Sequence, residues 1–182
     1  MENSKILNIE KILLPTIVIF FGAILRLVPH PANIAPIAAI ALFGGAYLNK
    51  KYALIIPLVA LFLSDIVIGF YSAMPFVYGS FLLMGFIGLW LRKRKSLNLV
   101  IGATLVSSFL FFAITNFGVW VVGNIYPQTF EGLIRCYYLA LPFFRNTIIG
   151  DLIFVTLFFG SFELALRISK RFNYGYLYKD RR

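Results

Sequence analysis

The sequence is short of charged and reactive side chains, and each shortage excludes a class of protein. Only 13% of its 182 residues are charged, against about 25% in an average soluble domain, so the chain lacks the polar surface that water requires. A single cysteine, Cys136, excludes an internal disulfide. Because His30 is the only histidine, the chain also lacks the set of ligands that a zinc site needs. We therefore expect no metal and no cofactor.

Catalytic motifs are missing as well. The sequence has no GxxxxGKS or GxxxxGKT loop, no HExxH and no GxSxG, so it predicts no nucleotide hydrolysis and no hydrolase of these kinds. We expect that the protein is not an enzyme. A membrane-embedded enzyme is the alternative, in which Asp65 or Asp151 would act as a base near the lipid interface.

Apolar residues, by contrast, are abundant. They make up 60% of the chain, and the mean hydropathy is +0.87. A helix needs about 20 apolar residues to cross a bilayer. The apolar runs that fit or approach this length are Ile12–Val28, Ile34–Leu48, Tyr52–Tyr71, Pro75–Leu91, Leu97–Val122 and Phe143–Ile168. The sequence predicts an all-α polytopic membrane protein, in which residues 1–182 form one compact six-helix bundle. Pro36 predicts that the second run is tilted, broken or partly re-entrant.

The basic residues predict how the chain is oriented. The net charge of +10 is not spread over a soluble surface, so we expect no nucleic-acid binding. Lys and Arg cluster in alternate connections, which marks the cytoplasmic side. These clusters are Lys5 and Lys11, Lys50 and Lys51, Arg92 to Lys95, and Lys170 to Arg182. We expect a multi-pass protein of the cell's inner membrane with both termini in the cytoplasm.

The connection before the last run has a helical pattern of its own. Apolar residues recur there at helical spacing from Phe130 to Leu141, after a potential N-cap at Thr129. We expect a short amphipathic helix over Thr129–Leu139 on the outer membrane surface. It is either a linker or a lid over a pocket, and Cys136 is an ordinary residue within it or a soft ligand for a metal-containing solute.

Polar residues within the apolar runs predict a site, because such residues tend to face a bundle interior or a watery cavity. At a rise of about 1.5 Å per residue, four of them fall in the outer half of the membrane: Arg26, Asp65, Asn116 and Asp151. Others lie at the outer mouth, namely His30, Asn33, Tyr78, Trp120 and Asn146. We expect these side chains to line one cavity for a small solute. In the alternative, Arg26 pairs with Asp65 or Asp151 only to join helices.

Small residues in the second run permit close helix contacts. Ala35 and Ala39 are four residues apart, as are Ala41 and Gly45, and this spacing lets two backbones approach within a membrane. The contact is either packing inside the bundle or a docking face for another membrane subunit.

Several of these segments resemble one family. They are RLVPHPANIAP (26–36), AAIALFGG (38–45), Ser64 with Asp65, TNFGVW (115–120), and the stretch from Tyr137 to Asp151. Together they resemble bacterial membrane proteins that are often described as substrate-binding (S) components of energy-coupling factor (ECF) transporters. The resemblance implies a six-helix subunit that captures a vitamin or similar micronutrient from outside. It also implies partners, which are a transmembrane coupling subunit and two ATPase subunits. That family often docks through small residues of its first span, whereas the clearest motif here is on the second.

A third interpretation is a polytopic scaffold or assembly protein. A transporter subunit should have an outer cavity lined by the polar residues above. An enzyme should place a carboxylate beside a catalytic partner, and a scaffold should have no solute cavity but an exposed docking surface.

Overall fold

The computed structural model describes the backbone of residues 2–179 and the side chains of residues 12–169. Over this part of the chain the fold is all-helical, which confirms the all-α part of the prediction. Its helices are α1 (Glu2–Leu25), α2 (Ile37–Tyr47), α3 (Ile55–Ile68), α4 (Met74–Leu91), α5 (Leu97–Val122) and α6 (Phe130–Lys179). Each predicted apolar run corresponds to one helix.

Three helices are long and apolar enough to cross a membrane. Among the described residues these are α4, α5 and the part of α6 from Phe130 to Ser169. The apolar parts of α1, α2 and α3 are shorter, at Ile12–Leu25, Ile37–Tyr47 and Ile55–Ile68. Large apolar side chains are exposed on the outside of the fold, for example Phe21, Val67 and Phe109.

The last helix differs from the prediction. The sequence predicts a short surface helix and then a separate final span, but the structure has one continuous α6 with Pro142 inside it. A proline removes only one helical hydrogen bond, and membrane helices tolerate this when their neighbours pack against them. Here the Tyr137 hydroxyl donates a hydrogen bond to the Ala113 carbonyl oxygen of α5, at 2.5 Å. The first part of α6 is therefore held against α5 rather than lying separately on a surface.

Helix α2 lies at the centre of the molecule. It contacts each of the other helices, and nine of its 11 residues are buried. At about 1.5 Å per residue it is only about 16 Å long, roughly half the hydrocarbon core of a bilayer. It is therefore a half-length helix enclosed by protein, which begins only after Pro36 and is shorter than the predicted run Ile34–Leu48.

Glycines allow α2 to lie directly against α4. A Cβ atom added to Gly45 would lie 2.7 Å from the Cα atom of Gly88, and one added to Gly88 would overlap the carbonyl oxygen of Leu42. Ala39 and Ala41 have no exposed area. The small residues Ala39, Ala41 and Gly45 therefore serve packing inside the bundle, and in this structure they are not available as a docking face. Ala35, which precedes the helix, is half-buried.

The C-terminal end of α2 is closed by a basic side chain from α4's end. Arg92 donates from Nη2 to the carbonyl oxygen of Gly45, at 3.0 Å, and to that of Leu48. These carbonyls lie at or beside the last turn, where carbonyl oxygens have no N–H partner within the helix. A cation at this end also interacts favourably with the helix dipole. Burial lowers the pKa of Arg92, but an arginine remains charged in proteins.

The glycine contact predicts a difference between two otherwise similar substitutions. Gly88→Ala should lower the free energy of unfolding by about 1–3 kcal/mol, because the added methyl group overpacks the contact between α2 and α4. Gly102→Ala in α5 should be neutral or stabilising by up to about 1 kcal/mol, because nothing lies within 4 Å of its added Cβ atom. Melting temperatures in detergent compare the two. Equal stability of both variants would show that α2 and α4 are not in close contact.

Candidate functional site

The central polar feature is a buried ion pair between α3 and the end of α1. Arg26 Nη1 lies 2.5 Å from Asp65 Oδ1 and donates a second hydrogen bond to Ser64 Oγ, also at 2.5 Å. The Tyr78 hydroxyl of α4 donates to the other oxygen, Asp65 Oδ2, at 2.9 Å. Arg26 is 8% exposed and Asp65 is fully buried. Among residues 12–169 this is the only ion pair. The Asp65 carboxylate of α3 accepts from both Arg26 and Tyr78, and it therefore links α3 to the end of α1 and to α4.

The second buried carboxylate, Asp151 of α6, has no cation beside it among the described side chains. Ser108 of α5 donates to Asp151 Oδ2 at 2.6 Å, and the backbone N–H of Ala38 lies near this carboxylate. Ala38 lies in the first turn of α2, where backbone N–H groups have no helical acceptors and the helix dipole favours a negative charge. Asp151 therefore closes the N-terminal end of α2, as Arg92 closes the other end.

A cavity of about 320 Å³ lies at this N-terminal end of α2. Its polar lining consists of Arg26, His30, Asn33, Thr147 and Asp151. Its apolar lining consists of Ala35, Ile37, Ala38, Ile68 and Phe111. The volume is at the lower end of the range for ligand pockets, about 300–1,000 Å³. It corresponds to roughly ten water molecules at their liquid volume, which suits a small solute.

The segment between α1 and α2 forms one wall of the cavity and is tied to α6. Asn33 has a positive φ of 63°, a conformation that asparagine tolerates better than most residues, and its Nδ2 lies 3.4 Å from Thr147 Oγ1. Asn146 donates from Nδ2 to the carbonyl oxygen of Ala32 at 3.1 Å. These two contacts hold the segment over the end of α2, so the wall is built by specific side chains.

The structure separates the predicted site residues into groups. Arg26, His30, Asn33 and Asp151 line the cavity. Asp65 and Tyr78 lie behind Arg26 and hold it, whereas Asn146 holds the cavity wall.

Asn116 and Trp120 point elsewhere. Asn116 donates to the carbonyl oxygen of Phe112 in its own helix, and Trp120 donates to that of Pro127. The cavity lining includes no residue from Thr129 to Leu139. Depth along the helices, which grouped all of these residues, does not determine the direction in which each side chain points.

Several residues of the site were not predicted. Thr147 precedes Asp151 by four residues and therefore lies on the same face of α6, a spacing that could have identified it. Ser64 and Ser108 are short hydroxyl side chains inside apolar helices, and their partners come from other helices. The sequence pattern does not reveal such partners, nor does it reveal the apolar contributions of Ile68 and Phe111.

The lining limits the chemistry of the cavity. The described residues contain no group of three or more His, Cys, Asp and Glu that could hold a metal ion. Arg26 and Asp151 are the charged residues of the lining. The hydroxyl groups beside them, on Ser64 and Ser108, do not line the cavity. The arrangement provides a charged and hydrogen-bonding surface for a bound molecule.

The ion pair predicts a graded loss of stability. Asp65→Asn should lower the free energy of unfolding by about 3–5 kcal/mol, because it leaves Arg26 buried without a counter-charge. The matched change Tyr78→Phe removes one hydrogen bond from the same carboxylate and should cost about 0.5–1.5 kcal/mol. Thermal melting in detergent measures both. If Asp65→Asn were as mild as Tyr78→Phe, the pair would not be a buried one.

Comparison with known proteins identifies a family but no characterised relative. No curated protein and no solved structure matches the chain. One family model does, over residues 7–173, and its description is "Family of unknown function (DUF6580)". Because the match extends over most of the 182 residues, the chain belongs to this family, DUF6580.

Proposed function

We propose that the protein is a membrane-embedded solute-binding subunit that captures a small, micronutrient-like molecule from the extracytoplasmic side. The observation that carries the proposal is the cavity of about 320 Å³ at the N-terminal end of α2, whose lining includes the buried side chains of Arg26 and Asp151. Buried charges inside an apolar bundle are costly, and a cavity between them gives a reason for their presence. The proposal assigns binding to this site and no chemical reaction.

The distribution of basic residues supports the outward orientation of the cavity. The cavity lies where α1 and α3 end and α2 begins, as its lining by Arg26, Ile68 and Ile37 shows. The basic connections, Lys50 to Lys51 and Arg92 to Lys95, follow the opposite ends of α2 and α4. Since cytoplasmic loops are enriched in Lys and Arg, we place these connections inside the cell and the cavity outside.

In this proposal all six helices belong to the membrane and both termini lie in the cytoplasm. The apolar part of α1, Ile12–Leu25, is shorter than a span normally requires, so the whole 24-residue helix would take part in crossing the membrane. Helix α2 would lie inside the bundle and would not contact lipid, since nine of its 11 residues are buried by the other helices. The exposed apolar side chains of α1, α3 and α5 would face lipid tails.

The proposed role includes partner subunits. A captured solute must be moved inward, yet the chain has no nucleotide-binding loop of the P-loop type. We propose that a membrane coupling subunit and two ATPase subunits supply this step, as the resemblance to S components implies. Docking on these partners would not use Ala39, Ala41 or Gly45, because these residues are buried inside the bundle.

The orientation can be tested by cysteine labelling. In a Cys136→Ser background, Asn124→Cys should react with a membrane-impermeant maleimide added to intact cells. Lys95→Cys should react only after the cells are opened, because it lies at the basic end of the bundle. Labelling of both positions from the same side would contradict the proposed topology.

The binding role can be tested with vesicles that contain this protein alone. After incubation with a bacterial metabolite extract, mass spectrometry should find solute bound in proportion to the protein, and the protein should show no ATPase activity. The vesicle interior should contain no excess over empty vesicles, since no energy source acts on the solute. Accumulation inside to many times the amount of protein would show a self-sufficient transporter instead.

A further inference from the structure

We infer that the solute of this cavity is an organic cation, with a protonated amine or a comparable positively charged donor that binds Asp151. This inference rests on the proposed function and specifies the substrate class of the same site. It begins from the charges that face the cavity. Arg26 is already paired with Asp65 at 2.5 Å, whereas Asp151 has no cationic partner among the described residues. With Asp151 ionised, the form that a bound cation favours, the three groups together carry one negative charge in excess.

The position of Asp151 makes this excess charge available to a ligand. Asp151 is 3% exposed and lines the cavity. An ionised carboxylate can accept about four hydrogen bonds. The Ser108 hydroxyl donates to Asp151 and the backbone N–H of Ala38 lies nearby, so part of its capacity remains free. A charge in an apolar bundle gains most from a partner of opposite sign, because the surroundings screen little.

The Ser108 hydroxyl and the N-terminal end of α2 stabilise the carboxylate without supplying a full counter-charge. A serine hydroxyl is neutral, and the N-terminus of a helix is equivalent to only about half a positive charge. An ammonium group of a solute would supply the remaining charge and form charge-assisted hydrogen bonds, which are stronger than neutral ones. The apolar part of the lining, which includes Ile37, Ile68 and Phe111, would contact the carbon skeleton of the solute.

Three small probes of nearly the same shape test this inference: n-butylammonium, 1-butanol and butanoate. Each is titrated into the detergent-purified protein at constant ionic strength, and the melting temperature gives an apparent Kd, since a ligand that binds only the folded state raises stability. We expect n-butylammonium to bind with an apparent Kd about ten-fold lower than that of 1-butanol, because a charged hydrogen bond replaces a neutral one. Butanoate should bind no better than 1-butanol.

Asp151→Asn is the matching variant, because it keeps the size of the side chain and removes its charge. It should abolish the preference for n-butylammonium over 1-butanol. Ser107→Ala is the control, since Ser107 is a buried neighbour in α5 whose hydroxyl has no partner and does not line the cavity; it should keep the preference. If Asp151→Asn does not fold, the three probes on the wild-type protein still decide.

Three results would overturn the inference. One is that 1-butanol or butanoate binds the wild-type protein as tightly as n-butylammonium. Another is that sodium chloride alone protects as well, which would indicate an inorganic cation. The third is that Asp151→Asn keeps the full preference. A neutral or anionic solute found bound to the wild-type protein would refute the organic cation and leave the proposed binding function intact, whereas the absence of any bound solute would count against the function itself.

Discussion

The buried half-helix α2 imposes the constraint on which the rest of the structure depends. A helix that ends inside an apolar bundle leaves backbone N–H and carbonyl groups that water cannot reach, and each unsatisfied group is costly. One charged side chain from another part of the chain lies at each end of α2. The Asp151 carboxylate of α6 lies near the Ala38 N–H at the first turn, and Arg92 donates to the Gly45 and Leu48 carbonyls at the last turn. Both charges also interact favourably with the helix dipole, since the anion is at the N-terminal end and the cation at the C-terminal end.

The cavity follows from the same constraint. Because α2 has only 11 residues, the chain between α1 and α2 is largely non-helical, and the cavity lies beside the first turn of α2. Asn33 of this segment contacts Thr147 of α6, and Asn146 of α6 donates to the carbonyl oxygen of Ala32 in the segment. Arg26 is fixed by Asp65, Ser64 and, through Asp65, Tyr78. Asp151 thus has two roles, since it closes a helix end and also supplies the unpaired negative charge that would select the solute.

The sequence predicted the helices better than it predicted the site. Apolar runs identify helices directly, and α2 begins only after Pro36, so it is shorter than the predicted second run. The short surface helix expected over Thr129–Leu139 is not a separate helix, because α6 continues through Pro142 and Tyr137 packs against α5. From depth along the helices, Asn116 was predicted to lie with Arg26 and Asp151. Its side chain instead donates a hydrogen bond to the backbone of its own helix, because depth does not determine the direction in which a side chain leaves the helix. That direction, like the partners of Ser64 and Ser108, depends on how helices pack, which periodicity in a mostly apolar span does not encode.

Mass spectrometry of the small molecules released from the purified protein tests the central claim most directly. The comparison is between the wild-type protein and Ala35→Trp, which should fill the cavity because Ala35 is part of its lining. The account predicts that the wild-type protein releases a solute in nearly equimolar amount. It predicts that Ala35→Trp, purified in the same way and still melting cooperatively, releases none of it. If the two proteins released the same molecules in the same amounts, the cavity at the start of α2 would not be a solute-binding site.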